Sequence, residues 1–401
     1  MPVLVQKYGG TSVAGPGRLR AVARRVAAAR GAGNALVVVV SAMGQTTDEL
    51  LRLAREVSER PSRRELDMLL TTGERVAMSL LAMALHDLGV EAISFTGSQS
   101  GILTDGAHSA ARIVEVRPDR IRAELERGRV VIVAGFQGVD PTTKEITTLG
   151  RGGSDTTAVA LATALAPASC EIYTDVSGVC TADPRLVPDA RRIGRLGYRV
   201  CSTLAHLGGR VLHARCVDLA ARHRVPLTVR SAFEDGPGTR IEEDTDMEEA
   251  GVVAVTHRTD CAIAVAEGNP GGRGETRGII EAVAQAWPEL ELTAHEQGAG
   301  GHTLVVWIGS PADVAALESD FRRLRGPGGE WRLSVETGAA FVSLVGVGLG
   351  ARDVVCAEAA LERAGVPWIA LRTMPTALVF RVPAPQAESA VRVLHGAFLG
   401  G

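Results

Sequence analysis

The chain has 401 residues, and its 43 lysine and arginine residues nearly balance 46 aspartate and glutamate residues. At about 150 residues per domain, this length predicts two or three domains that can bury sizeable cores without disulfides or a structural metal. The formal charge of −3 argues against a nucleic-acid-binding protein, which usually carries a basic surplus.

The first part of the chain alternates short apolar runs with longer helical patterns. Strands are predicted at residues 3–6, 36–40, 92–95, 130–133, 170–174 and 227–230, and helices at 18–29, 47–57 and 65–88. This alternation predicts an α/β fold whose open, mostly parallel sheet is sandwiched by helices. Glycines follow several of these strands, at the edge where ligands of such sheets bind.

The pattern changes at residues 234–251, where glycine, proline and acidic residues indicate a linker. Beyond it, two βαββα-type units are predicted. Their strands fall at residues 252–265, 303–308, 340–347 and 377–382, and their helices at 275–286, 354–364 and 384–398. We therefore expect one large domain over residues 1–245 and two small α+β domains over residues 252–330 and 335–401.

No targeting or membrane segment is predicted. The N-terminus lacks a signal-peptide pattern, and apolar runs such as residues 35–40 are far shorter than the roughly 18 residues of a membrane span. The six cysteines include no CxxC pair, so neither a zinc site nor a redox pair is indicated. We expect buried, reduced thiols in a cytoplasmic protein.

Lys7 and Lys144 are the two lysines among the 43 basic residues. Because the chain otherwise uses arginine, a retained lysine can mark a place that needs a compact ammonium rather than a planar guanidinium. We interpret Lys7 in this way, whereas Lys144 is better explained as a lysine retained by chance.

Two segments rich in glycine and hydroxyl groups follow the first two strands. Residues 7–12 read KYGGTS, and their backbone amides could cradle anionic oxygens. Residues 41–47 read SAMGQTT, and their hydroxyls could hold a polar substrate. The simpler alternatives are an ordinary Gly-Gly turn in the first segment and a helix cap by Thr46 or Thr47 in the second.

A third segment, residues 147–157, reads TTLGRGGSDTT and leads into an alanine-rich helix. It combines a flexible loop, a helix start suited to anions, Arg151 and Asp155. Arg151 can bind a carboxylate through two parallel hydrogen bonds, and nothing local explains an arginine among glycines. The structural alternative for Asp155 is an ordinary helix cap or a partner of the helix dipole, since aspartate is common at the start of helices.

The fourth segment, residues 173–185, reads YTDVSGVCTADPR and brings Asp175 to a strand end. Acidic groups near Mg²⁺ and an arginine near phosphates would suit a bound nucleotide. An Asx turn followed by a proline turn is the structural alternative.

Taken in this order, the four segments resemble those of the aspartate kinases in the amino acid kinase family. The stretches LTTGERVA, FTGSQSGILT and AGFQG extend the resemblance over residues 1 to about 240. The two C-terminal units are similar in element order to the family's paired ACT domains, with a much weaker match. The expected architecture is therefore an amino acid kinase fold followed by two ACT-like domains.

The resemblance implies ATP- and Mg²⁺-dependent phosphorylation of the side-chain carboxylate of L-aspartate, giving 4-phospho-L-aspartate. It implies Lys7 and Asp155 as catalytic residues. The implied substrate ligands are Ser41, Thr47, Glu74, Arg151, Gly152, Gly153 and Ser154. The implied nucleotide ligands are Gly9, Gly10, Ser12, Thr174, Asp175, Asp183, Arg185 and Arg210, and no metal ligand is assigned. The implied partners are a second copy, bound through the ACT-like domains, and a downstream semialdehyde dehydrogenase, with neither nucleic acid nor membrane.

The chemistry agrees with a site built on positive charge. A carboxylate is already ionised at neutral pH, so the barrier comes from its repulsion by the triphosphate rather than from lack of a base. We therefore expect Asp155 to orient Lys7 or a metal-bound water rather than to act as a general base.

Several segments depart from the family pattern. Arg210 replaces a lysine near the phosphates, and residues 268–272 replace an Asp-basic-Pro-Gly effector loop. The expected Gln-Asn is not apparent at residues 295–298, and residues 346–352 lack an expected His-Pro-Gly. These departures predict weak or altered feedback inhibition by lysine and threonine. They are also consistent with an enzyme that serves a specialised pathway.

Two alternatives remain open: a kinase of another small amino-acid carboxylate, and a non-catalytic effector-binding subunit. Glu74 and Arg151 favour an α-amino acid as substrate, and the retained Lys7 and Asp155 argue against a non-catalytic role. Assays with aspartate, glutamate and N-acetylglutamate would separate these readings.

Overall fold

The computed structural model describes residues 2–209, 211–243, 250–259, 261–269, 273–287, 290–298, 303–324 and 330–400. The chain divides into two compact units. The first comprises Met1–Thr181 with Ala190–Glu249, and the second comprises Ala182–Asp189 with Ala250–Gly401.

The first unit contains twelve strands and seven helices within its described residues. The strands are β1 (Val3–Tyr8), β2 (Ala35–Val40), β3 (Ala92–Phe95), β4 (Ile102–Thr104), β5 (Ile113–Val116), β6 (Val130–Ala134), β7 (Gln137–Val139), β8 (Ile146–Thr148), β9 (Ala168–Thr174), β10 (Arg195–Gly197), β11 (Leu227–Ser231) and β12 (Thr239–Glu242). The helices are α1 (Pro16–Gly31), α2 (Thr46–Val57), α3 (Arg63–His86), α4 (Asp119–Glu126), α5 (Gly153–Ala164), α6 (Tyr198–His206) and α7 (Ala214–His223).

Eight of these strands form one sheet in the order β10-β12-β11-β9-β1-β2-β6-β3. All neighbouring pairs are parallel except β11 and β12. Helices α1 and α3 cover one face, and α5 packs on β1, β2 and β9. Burial on both faces explains why β2 is a continuous apolar run rather than an alternating one. The predicted fold class is confirmed.

Two features of this unit differ from the sequence prediction. A second sheet, β5-β4-β7-β8, was not predicted because its strands of three or four residues are too short to show a periodicity. The prediction of a linker at 234–251 was wrong for the residues of β12, because this strand pairs with β11 and β10. Its glycine- and proline-rich start is the turn of this hairpin.

Helix α3 is long and apolar enough to cross a membrane by length and composition, but half of its most apolar window is buried. Leu81 and Leu85 are 0% exposed and pack in the core formed by α1 and the strands β1, β2 and β6. Helix α3 is therefore a core helix of the first unit.

The second unit contains eight strands and four helices within its described residues. The strands are β13 (Gly251–Arg258), β14 (Ala262–Asn269), β15 (Glu291–Gln297), β16 (Thr303–Gly309), β17 (Glu330–Glu336), β18 (Ala339–Val347), β19 (Ala370–Met374) and β20 (Ala377–Pro383). The helices are α8 (Arg273–Ala286), α9 (Pro311–Leu324), α10 (Ala351–Arg363) and α11 (Ala387–Leu399).

These strands form two four-stranded antiparallel sheets with the same internal order. One is β15-β16-β14-β17 and the other is β19-β20-β18-β13. Strand β13 thus occupies in the second sheet the position that β17 occupies in the first. The predicted strand at 252–265 is in fact two strands, β13 and β14, which belong to different sheets. The two sheets are therefore interleaved along the chain, whereas the sequence predicted two successive domains at 252–330 and 335–401.

Within the part of the chain that the structure describes, which includes all six cysteines, no disulfide forms, and the thiols differ in exposure. Cys170, Cys201, Cys216 and Cys261 are buried as expected. Cys356 is exposed and Cys180 is half-buried, so the prediction of burial was wrong for these two.

Candidate active site

The loops that follow β1, β2 and β6 meet at one edge of the large sheet. Parallel strands present their carboxyl ends together, and backbone hydrogen bonds then link the loops. Gly44 N donates to Gly10 O at 3.0 Å, and Gly135 N donates to Val40 O at 3.0 Å. A Cβ at Gly10 would lie 2.9 Å from Ala42 O, so only glycine allows this approach.

Lys7 and Asp155 form an ion pair at this edge. Successive side chains of β1 point to opposite faces, so Lys7 points toward α5 while Tyr8 enters the opposite core. The Lys7 Nζ lies 2.6 Å from Asp155 Oδ1, and each side chain is only 12% exposed. Asp155 lies in the first turn of α5 without capping it, which disfavours the alternative of an ordinary cap.

Glu74 joins α3 to the loop after β2. Its Oε1 accepts a hydrogen bond from Ala42 N at 3.1 Å, while its Oε2 is buried with no hydrogen-bond partner among the described residues. Burial raises the pKa of Glu74 to about 7, and the Ala42 amide partly opposes this effect. A buried oxygen without a donor is costly, so this carboxylate is prepared to receive a cation or a proton.

The hydroxyl residues of the same loop do not cap α2. Helix α2 begins at Thr46 with no side-chain cap hydrogen bond, and the Thr46 hydroxyl donates to Met43 O at 2.6 Å. The capping alternative for Thr46 and Thr47 is therefore wrong. Ser41 and Thr47 are half-buried, and the Ser41 amide donates to Tyr8 O.

The glycine-rich loop before α5 packs closely on its surroundings. Gly152 has a φ of 68°, and a Cβ there would lie 2.1 Å from the His213 ring. A Cβ at Gly135 would lie 2.7 Å from Ser154 Oγ, so Ser154 is held against the loop after β6. Arg151 is exposed at the tip of this loop, which leaves its guanidinium available to a ligand.

A polar network beneath the β1 and β9 ends was not predicted. The rings of Tyr8 and Tyr173 stack with centroids 4.7 Å apart. Glu171 accepts hydrogen bonds from Gln6 Nε2 at 2.9 Å and from Tyr173 OH at 3.0 Å, and it pairs with Arg230. The two tyrosines are register partners on adjacent strands, a relation that only the strand pairing reveals.

The residues predicted to bind nucleotide lie in different places. Thr174 ends β9 and Asp175 follows it, and the Thr174 hydroxyl donates to Asp175 Oδ1 at 3.1 Å. Asp183 and Arg185 belong to the second compact unit. There Arg185 N donates to Asp183 Oδ1 at 2.9 Å, so the alternative of an Asx turn is present, and hydrogen bonds from Arg185 lower the pKa of Asp183. Arg210 lies outside the described residues.

Comparison with known proteins agrees with this geometry. The model of the amino acid kinase family matches residues 2–231. The aspartokinase of Mycolicibacterium smegmatis is 42% identical over 100% of this chain and 97% of its own length. The chain belongs to the amino acid kinase family, within its aspartokinase group. An aspartokinase of Thermus thermophilus is 44% identical over 99% of both chains. The fold also matches that of E. coli aspartokinase III, solved with aspartate and ADP, with a TM-score of 0.82 at 24% identity over 100% of both chains.

Within this aspartokinase architecture, the structure brings one group of the predicted residues to the same edge of the sheet. This group contains Lys7, Gly9, Gly10, Ser41, Glu74, Ser154 and Asp155. The roles assigned to the individual residues stay predictions.

Proposed function

We propose that the protein transfers the γ-phosphoryl group of ATP to the side-chain carboxylate of L-aspartate. The products are ADP and 4-phospho-L-aspartate. The observation that carries this proposal is the partly buried Lys7–Asp155 pair at the sheet edge of an aspartokinase.

The proposed mechanism rests on placement of positive charge. The attacking carboxylate and the triphosphate repel each other, and the Lys7 ammonium would lie between them. Asp155 holds that ammonium, which a flexible lysine side chain would otherwise carry into water. Because the nucleophile is already ionised, no residue needs to remove a proton from it.

The substrate is proposed to be held by both charged groups on its α-carbon. Arg151 binds the α-carboxylate through two hydrogen bonds, and the buried Glu74 Oε2 receives the ammonium. Ser41, Thr47 and Ser154, with the amides of Gly152 and Gly153, complete the site. An unpartnered carboxylate oxygen beside a loop that positions hydroxyl groups supports an α-amino acid over a simple carboxylic acid.

The nucleotide is proposed to lie over Gly9, Gly10, Ser12, Thr174 and Asp175. Gly9 lies beside the Lys7 ammonium, and a Cβ there would be in van der Waals contact with Nζ at 3.4 Å. Among the described residues, no group of three or more His, Cys, Asp or Glu side chains could hold a metal ion. A site with few carboxylates fits Mg²⁺ that arrives bound to ATP, because the ligands of Mg²⁺ are commonly substrate phosphates, water and one or two carboxylates. Asp175 could supply such a carboxylate, and the ion would neutralise phosphate charge. Roles for Asp183, Arg185 and Arg210 rest on the sequence resemblance.

Regulation and assembly complete the proposal. The first unit, predicted as residues 1–245 but without residues 182–189, forms the catalytic domain. The two interleaved sheets form a diverged ACT-like pair that responds weakly to lysine and threonine. The protein is cytoplasmic and assembles as a homodimer through this pair, which light scattering on a size-exclusion column tests. The labile acyl phosphate would be consumed by a semialdehyde dehydrogenase, in a common or a specialised pathway.

An ATP-dependent hydroxamate assay tests the function. Hydroxylamine traps an acyl phosphate, so aspartate should give hydroxamate in step with ADP, whereas glutamate and N-acetylglutamate should give little. Preference for another carboxylate would favour the related-kinase alternative. Absent turnover with retained amino-acid binding would favour a non-catalytic subunit.

A further inference from the structure

Asp67, in the second turn of α3, is a fully buried carboxylate that no role above uses. It is 0% exposed. Its Oδ1 accepts a hydrogen bond from Thr148 Oγ1 at 2.6 Å, and its Oδ2 lies 2.8 Å from His108 Nδ1. The Ser109 amide donates to both oxygens, at 3.1 and 3.0 Å. A buried charge with this many donors is well satisfied, and removing a donor would be costly.

These donors belong to two segments. Thr148 ends the strand that leads into the glycine-rich loop carrying Arg151, and His108 and Ser109 belong to a neighbouring segment. Thr148 ends β8, two residues before Gly150. The Thr148 carbonyl accepts from Ala111 N at 2.9 Å, and a Cβ at Gly150 would lie 3.1 Å from Ser109 O. Asp67 therefore fixes both the strand end from which the loop departs and the neighbouring chain against which it rests.

Arg215 of α7 holds the same segments from another element. Its Nη1 donates to Leu149 O at 2.6 Å, and its Nη2 donates to Ala111 O at 3.1 Å. The two residues before Gly150 are thus held by different partners. Asp67 binds the Thr148 hydroxyl, and Arg215 binds the Leu149 carbonyl. The loop that carries Arg151 has a fixed origin even though its tip is exposed.

Asp67 also lies on the same helix as Glu74. The two residues are seven positions apart, which is about two helical turns and places them on one face. Both are buried. One rigid helix therefore carries the proposed ammonium ligand and, through Thr148, sets the origin of the loop with the proposed carboxylate ligand.

We propose that Asp67 is a positioning residue for the amino acid substrate, acting through Thr148 on the separation between Glu74 and Arg151. The inference rests on the proposed function. Misplacing one of the two ligands that hold the charged groups on the α-carbon of the substrate weakens its binding, so the effect falls on KM for aspartate.

Adjacent threonines of β8 provide matched variants. Thr148→Val removes the hydroxyl that binds Asp67, whereas Thr147→Val removes an equally buried hydroxyl that lies 2.6 Å from Thr104 Oγ1. We expect Thr148→Val to raise KM for aspartate about tenfold, with kcat and KM for ATP within about twofold of wild type. Thr147→Val should leave all three constants unchanged at a similar loss of thermal stability. Thr148→Ser, which restores a hydroxyl, should return KM for aspartate to near the wild-type value.

Equal KM values for aspartate in Thr148→Val and Thr147→Val would overturn the inference while leaving the proposed function intact. A wild-type protein without aspartate-dependent turnover would refute both. Asp67→Asn is a further variant, expected to raise KM for aspartate more than Thr148→Val does because it perturbs every donor at once. If this variant does not fold, the threonine variants still decide the question.

Discussion

The buried Glu74 makes stability and substrate binding depend on pH in a way that the structure specifies. Burial raises its pKa to about 7 from 4.5, so the folded chain keeps this proton at pH values where the unfolded chain has lost it. Between these values the folded state binds more protons, and the free energy of unfolding falls as pH rises. At about 1.4 kcal/mol per unit, the penalty reaches about 3 kcal/mol above pH 7.

Glu74→Gln removes this titration. The difference in unfolding free energy, wild type minus Glu74→Gln, should fall by about 3 kcal/mol between pH 4.5 and pH 7 and then stay constant. Tyrosine absorbance is the appropriate signal, because the chain's tyrosines lie in the first unit and its tryptophans in the second. Glu65→Gln, at an exposed position of α3, is the control and should leave the profile unchanged within about 0.5 kcal/mol.

The same group should control aspartate binding. If ionised Glu74 receives the substrate ammonium, kcat/KM for aspartate rises about tenfold per pH unit below pH 7 and levels off above it. Glu74→Gln should lower kcat/KM and flatten this profile. A stability difference that does not change with pH would refute the burial argument, and an unaltered pH profile of kcat/KM would refute the role of Glu74 in binding.

Three further predictions address the catalytic pair, the core and regulation. Lys7→Arg keeps the charge but replaces a compact ammonium, so kcat should fall about 100-fold or more while the melting temperature changes little. The control Lys144→Arg, in an exposed turn, should match wild type. A near-normal kcat in Lys7→Arg would contradict the mechanism. Leu81→Ala removes a 0% exposed side chain and should cost about 2–5 kcal/mol of unfolding free energy, and a loss under about 1 kcal/mol would mean that the core repacks around it. Lysine plus threonine should leave turnover nearly unchanged in the hydroxamate assay, and strong inhibition at physiological concentrations would refute the prediction of weak feedback.

The sequence predicted those parts of the site that follow from local pattern and parallel topology. Lys7 and Asp155 lie 148 residues apart in sequence, yet both segments fall at the carboxyl edge of the same sheet. Their meeting is therefore expected from the topology, and the structure places Lys7 Nζ 2.6 Å from Asp155 Oδ1.

Other contacts depend on pairing that no local pattern encodes. Strand β13 joins β18 across more than eighty residues, and a periodicity cannot specify such a partner. Asp67 offers a second example, because an aspartate near the start of an amphipathic helix is usually solvated. Only the fold shows that Thr148, His108 and Ser109 enclose it.

The local setting of Lys144 is not predictable from the sequence. It adopts a φ of 64° in the turn between β7 and β8, and its ammonium donates to Pro141 O at 2.5 Å. The two lysines thus occupy contrasting settings, one paired at the sheet edge and one exposed in a turn.

The chemical identity of the product tests the central claim most directly. Wild-type protein should be incubated with ATP, Mg²⁺ and L-aspartate, and the product reduced with borohydride, which converts an acyl phosphate to the corresponding alcohol. Phosphorylation of the side-chain carboxylate predicts homoserine in amounts that match the ADP formed. Recovery of 3-amino-4-hydroxybutyrate, the alcohol derived from the α-carboxylate, or ADP formation without either alcohol, would contradict the account.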